Sequence, residues 1–153
     1  MAGKNAISTA ARAALTLGLA LGLSPALAQV PAIQSQDINM PGFTADIIEA
    51  KRSDGVLSVK LRVKNSGAKE GNVHFTYSKP IDEFYVQAEG KKYFVLRDTE
   101  KVPLASSTTY TGVAPGGTYT WWAKYPAPAA NVKKFNFYWP LGAPFDDVPI
   151  TDK

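Results

Sequence analysis

The chain has 153 residues, a formal net charge of +4, one histidine and no cysteine. Without cysteine there is no disulfide scaffold, no thiolate zinc site, no iron–sulfur cluster and no lipid-modified cysteine behind an apolar leader. The lone histidine, His74, excludes a multi-histidine metal site and leaves a Ser-His-Asp triad a single candidate base.

Residues 1–28 read as a signal peptide. Lys4 and Arg12 precede an apolar run, Ala13 to Leu23, interrupted only by Thr16 and glycines. Ser24-Pro25 breaks the run, and Ala26-Leu27-Ala28 supplies the small-x-small pattern that predicts cleavage after Ala28. Eleven residues are too few to cross a bilayer core of roughly 30 Å as a helix. Removing residues 1–28 leaves 125 residues, the size of one domain. Lys4 and Arg12 leave with the signal, so +4 falls to +2. With no acidic or basic block in the remainder, nothing favours nucleic acid as a partner. No second apolar run of membrane length follows, so no membrane span is expected. The expected location is periplasmic or extracellular.

Residues 29–42 carry Gln, Ser, Asn and two prolines without periodicity and predict a flexible leader or a loose first strand. The domain is expected over 43–153. A strand from Phe43 to Lys51 ends at Ser53-Asp54-Gly55, a hairpin signal. In Val56 to Lys64, Leu57, Val59, Leu61 and Val63 alternate with Ser58, Lys60, Arg62 and Lys64. Period two over that length predicts a strand with one face in the core and one in water. Asn65-Ser66-Gly67 ends it with turn chemistry. Further strands are expected at Val73–Tyr77, Phe84–Gln87 and Tyr93–Leu96, the last two as a hairpin across Glu89-Gly90-Lys91. Residues 97–112, polar and rich in Ser and Thr, predict a long loop. Pro115-Gly116-Gly117 launches a strand from Thr118 to Lys124, a Pro/Ala loop covers 126–130, and Val132–Trp139 forms the next strand. Phe145–Ile150 adds a short edge strand, since Pro149 forbids a central one. Seven or eight strands with no helical run predict an all-β, immunoglobulin-like antiparallel sandwich without a disulfide.

This layout resembles the small proteins with one immunoglobulin-like β-sandwich domain that bacteria export, in families of largely unknown function. Val56-Leu-Ser-Val-Lys-Leu-Arg-Val-Lys-Asn-Ser-Gly67 is similar to their core strand and its turn. Val113-Ala-Pro-Gly-Gly-Thr-Tyr-Thr-Trp-Trp-Ala-Lys124 looks like a proline-glycine turn entering the next-to-last strand. Val86 to Val95 looks like their central hairpin, and Pro144-Phe-Asp-Asp-Val-Pro-Ile150 is similar to their ending. The resemblance spans roughly Phe43 to Ile150 and implies an envelope or extracellular location and a binding or structural role. It carries no catalytic residue to transfer.

The aromatic residues are the most informative feature. Trp121 and Trp122 are adjacent in a strand and must point to opposite faces. If Phe135, Phe137 and Trp139 are core, Tyr119, Trp121 and Ala123 are their partners. That places Trp122 and Tyr138 outward, with Lys124 and Asn136 beside them, as one candidate face for a sugar ring or a partner's apolar patch. The same residues also suit cross-strand pairing that only stabilises the sheet.

His74 falls on an outer face, where an ordinary exposed histidine accounts for it. Ser66-Gly67-Ala68-Lys69 matches an S-x-x-K nucleophile motif but lies in a turn, without the helix start and companion motifs that chemistry needs. Asp146-Asp147 lacks the rest of a calcium loop, and Lys60-Arg62-Lys64 reads as a solvated strand face.

The expected function is therefore a non-enzymatic binding or structural module at the envelope, without cofactor or metal. Its expected partner is an envelope protein or a polysaccharide. A carbohydrate-binding module is the first alternative. An inhibitor of a protease or other hydrolase, presenting Arg97 to Gly112 at one end of the sandwich, is the second.

Overall fold

The computed structural model describes residues 29–76 and 80–153. The expected signal peptide, and Tyr77 of the expected strand Val73–Tyr77, lie outside the described residues. Eleven strands form among them, in chain order β1 (Gln34–Asp37), β2 (Phe43–Ser53), β3 (Val56–Asn65), β4 (Gly71–His74), β5 (Tyr85–Ala88), β6 (Lys91–Tyr93), β7 (Tyr110–Val113), β8 (Thr118–Pro126), β9 (Lys134–Tyr138), β10 (Phe145–Pro149) and β11 (Thr151–Asp152). A 3₁₀ turn at Ile81–Glu83 is the one helical element among the described residues.

Two sheets carry the architecture. One runs β1-β2-β3-β8, with β11 also paired to β2, and the other runs β10-β9-β5-β6. A two-stranded ladder of β4 and β7 stands beside them. The two large sheets meet through their inward residues. Leu57, Val59, Leu61 and Val63 of β3 are fully buried, as their alternation requires, together with Trp121, Tyr125, Phe84, Phe137 and Phe145. Trp121 stacks on Phe84 at 4.7 Å and lies 6.3 Å from both Phe75 and Phe137. Tyr125 meets Phe137 edge-on and donates its hydroxyl to the Phe84 carbonyl at 3.2 Å. Burial pushes that phenol's pKa well above its ordinary value.

The two tightest turns follow from residue chemistry. Ser53 pairs with Val56 around Asp54 (φ 52°) and Gly55 (φ 75°), and Ala88 pairs with Lys91 around Glu89 (φ 48°) and Gly90 (φ 74°). Positive φ at both central residues is the two-residue hairpin turn whose twist matches the strands.

Other expectations change. The strand count exceeds seven or eight because short pairings form where loops were expected. Residues 97–112 are not a free loop: Arg97 bridges Pro103, the Leu104 amide donates to the Leu96 carbonyl at 2.7 Å, and Tyr110–Val113 becomes β7. This segment lies along β8, with the Ser106 amide donating to Trp122's carbonyl and the Lys124 amide donating to Leu104's. The expected strand at Tyr93–Leu96 is limited to β6 at its start, while the loose first strand is realised as β1.

A bulge in β2 decides much else. Pairing with β3 shifts between Ile47 and Glu49, so Ile48 is the extra residue. Before it, Ala45 and Ile47 point inward; after it, Ala50 and Arg52 do. The bulge therefore turns the Arg52 side chain under the end of the sandwich. Its guanidinium donates to the carbonyls of Pro128 (3.1 Å), Ala129 (2.6 Å) and Ala130 (3.1 Å) and to the Asp152 carboxylate (2.6 Å). Asp152 also accepts from Lys133 at 3.1 Å. Buried Asn65 plays the same part at the other end. Its amide donates to the carbonyls of Lys69 and Val113 at 2.8 Å each, and its oxygen accepts the Gly67 N–H at 2.8 Å.

Replacing Asn65 with Ala removes three hydrogen bonds and strands buried polar groups, a cost of about 2–4 kcal/mol. A lower urea midpoint at unchanged m is the expected result. Hydrogen bonds from Arg52 first, and Lys133 second, lower the Asp152 pKa from 3.8 to about 2. A depressed carboxyl stabilises the fold fully above its unfolded value and loses that contribution as pH falls through the folded value. The melting-temperature gap between wild type and Asp152→Asn should thus be constant above about pH 5 and close between pH 4 and 2.

Candidate functional site

The expected single face of Trp122, Lys124, Asn136 and Tyr138 is divided between two sheets. β8 pairs with β3, whereas β9 pairs with β5 and β10, and the 127–133 connection crosses from one sheet to the other. Trp121 and Phe137 are the inward neighbours of Trp122 and Tyr138, and they face each other across the core. Trp122 and Tyr138 therefore point away from one another, each outward from its own sheet. Lys124 stays with Trp122, and Asn136 stays with Tyr138.

On the Tyr138 side, Tyr138 and Tyr85 are cross-strand partners whose rings stack at 4.7 Å and 7°. The Lys92 ammonium sits 4.4 Å above the Tyr85 ring, a cation–π contact. Phe94 lies 5.9 Å from the same ring with 46% of its surface exposed. One step along, Asn136 pairs with Gln87, and its side-chain oxygen accepts the Asp147 N–H at 2.9 Å. Lys134 approaches Asp147 at 3.9 Å. Tyr85, Phe94 and Lys92 were not singled out in the sequence, although Tyr85 stands between inward Phe84 and Val86 and is outward by alternation.

On the Trp122 side, three strands in register set residues in rows. Asp46, Arg62 and Thr120 form one row; Glu49, Lys60 and Trp122 the next; Lys51, Ser58 and Lys124 the last. Arg62 donates to Asp46 at 2.6 and 2.9 Å, and Ser35 caps the other carboxylate oxygen at 2.6 Å. Lys60 pairs with Glu49 at 2.9 Å. The cationic strand face is thus largely neutralised by cross-strand acids, while Lys51 and Lys124 have no acid partner among the described residues. Trp122 is 39% exposed and borders a groove of about 390 Å³ with Glu49, Ser58, Lys60 and Lys124.

The remaining candidates are placed as follows. His74 is exposed on β4 and stacks on Tyr110 at 5.7 Å. Ser66 and Lys69 lie in the turn held by Asn65, with the Ser66 amide donating to the Gly42 carbonyl at 2.7 Å. Among the described residues no three His, Asp or Glu side chains gather as a metal ion would require. No protein-family model matches the chain, and no curated protein matches it.

Trp121 is fully buried and Trp139 is 5% exposed, so Trp122 is the tryptophan open to solvent. Trp122→Phe should abolish most collisional quenching of tryptophan emission. In the wild type, iodide should quench more strongly than caesium, because Lys51 and Lys124 concentrate anions near that ring.

Proposed function

We propose that the protein is an exported, non-enzymatic binding module of immunoglobulin-like type. It recognises an envelope protein through the outer face of β9, β5 and β6. The strand orders support the fold reading. β10-β9-β5-β6 matches the G-F-C-C′ order of such domains, and β2-β3-β8 continued by residues 104–106 matches A-B-E-D. The charged leader, the apolar run and Ala26-Leu27-Ala28 support export.

The observation that carries the binding role is the aromatic group on this face, with Tyr138 stacked on Tyr85 and Phe94 half exposed beside them. Rings fixed by stacking lose little side-chain freedom when a partner covers them, and tyrosine is enriched among residues that dominate binding energy. Lys92, Asn136 and Gln87 supply a polar rim of the kind that surrounds such a centre.

The test is capture of envelope proteins by the tagged full chain after crosslinking of intact cells, beside a Phe94→Ser/Tyr138→Ala variant. Recovery of one specific protein, with affinity reduced at least tenfold in the variant, is the expected result. Equal recovery by both forms would move the contact to the loops and overturn this face. Absence of any specific partner would overturn the binding role.

A further inference from the structure

We infer that the groove beside Trp122 is a binding site for an acidic pyranose, a uronic-acid residue of a polysaccharide. This site lies on the sheet opposite the Tyr138 face and does not depend on what that face binds.

Three observations converge on it. The first is the platform. Trp122 is the exposed aromatic of a strand held on both sides, by β3 in register and by the Ser106 amide donating to its carbonyl at 2.8 Å. An indole ring presented on so fixed a backbone offers a flat, electron-rich surface. The C–H face of a pyranose carries partial positive charge and fits that surface.

The second is charge. In the middle of this face acids offset cations, Asp46 with Arg62 and Glu49 with Lys60. Lys64, between Thr44 and Thr118 at the far end, has no acid partner among the described residues. In the row next to Trp122 the pattern stops: Lys51 and Lys124 flank the small Ser58 with no acid between them. They stand two strands apart, roughly 9.5 Å between backbones, a gap their long side chains can close upon one carboxylate. The neutral hydroxyl of Ser58 lies beneath that position as a donor. Lys124 and Ser58 line the groove, while Lys51 lies outside its lining, across Ser58. With Glu49 engaged by Lys60, the uncompensated charge beside the ring's seat is positive.

The third is the neighbouring row. The paired Lys60 and Glu49 present a fixed donor and a fixed acceptor at the groove's edge, 2.9 Å apart. Vicinal hydroxyls of a sugar donate and accept at comparable spacing. A groove of about 390 Å³ is at the small end of ligand sites, suited to one or two sugar rings rather than a folded partner. Neither Lys51 nor the Glu49–Lys60 pair stands out in the sequence, because the bulge at Ile48 sets which β2 residues join this face.

Trigalacturonate is the probe, followed by Trp122 emission and by calorimetry at low salt. Saturable binding is expected, weakened at least tenfold in Lys51→Ser/Lys124→Ser and in Trp122→Ala, and weakened by added salt. The fully methyl-esterified trisaccharide should bind at least tenfold more weakly than the acid. A Phe94→Ser/Tyr138→Ala variant should bind trigalacturonate normally, which separates this site from the partner face. Equal binding of the ester would overturn the role of charge. The same emission change with sodium sulfate at equal concentration would show an anion seat without sugar recognition and overturn the inference. No saturable binding by a wild-type protein with an intact melting transition would overturn it outright.

Discussion

Ring packing around Trp121 holds the molecule together. With no cysteine to bridge the sheets, their union rests on Trp121 against Phe84, Phe75 and Phe137, and on Tyr125 behind them. These side chains are fully buried, and each brings a large apolar area to the interior. Because successive residues of a strand point to opposite faces, seating Trp121 inward leaves Trp122 no course but outward. The same logic applied to Phe137 sends Tyr138 out of the other sheet. Both candidate surfaces are therefore by-products of the core: their aromatic residues are exposed because their neighbours are buried.

Polar groups complete what the rings begin, and each does so at an end of the sandwich. The Asn65 side chain makes three hydrogen bonds to backbone groups of two segments, the turn at 66–69 and the end of β7, so its burial is compensated. Arg52 gathers three carbonyls of the 128–130 connection and the carboxylate of Asp152. One inserted residue in β2 makes both the Arg52 anchor and the outward Lys51 possible. Had β2 kept its original phase past Ile47, Arg52 would face solvent and Lys51 the interior, where an unpaired ammonium is costly.

Much of this was legible in the residues, for identifiable reasons. The strict alternation from Val56 to Lys64 marks β3 because one face is buried along its whole length. Asp54-Gly55 marks its hairpin because few other pairs accept positive φ twice. The inward roles of Trp121, Phe135, Phe137 and Trp139 follow from the same alternation. Pairing partners were not legible. The Pro/Ala-rich connection between β8 and β9 has a composition equally suited to a hairpin within a sheet and a crossing between sheets, so Trp122 and Tyr138 were joined on one face. Residues 97–112 read as a loop because most of their bonds to β8 are made by backbone atoms, which carry no side-chain signature; the Ser106–Tyr119 hydroxyl contact is the side-chain exception among the described residues. The Ile48 bulge leaves no compositional mark either, and it hides Lys51.

The pairing of β11 has a temporal meaning. Its two residues align parallel with Lys51 and Arg52, and the Arg52–Asp152 bond joins positions 100 residues apart. Contacts of such separation close late, since the intervening chain's loop entropy must be met before they return any stability. A chain emerging amino-terminus first would present β1, β2 and β3 early, yet would leave the Lys51-Arg52 end of the β2 edge unpaired until β11 appeared. Arg52 would lack its carboxylate until Asp152 followed the 128–130 carbonyls. If the chain is exported unfolded, as proposed above, such a long-range fastening would favour an open chain in transit and reserve the final closure for the far side.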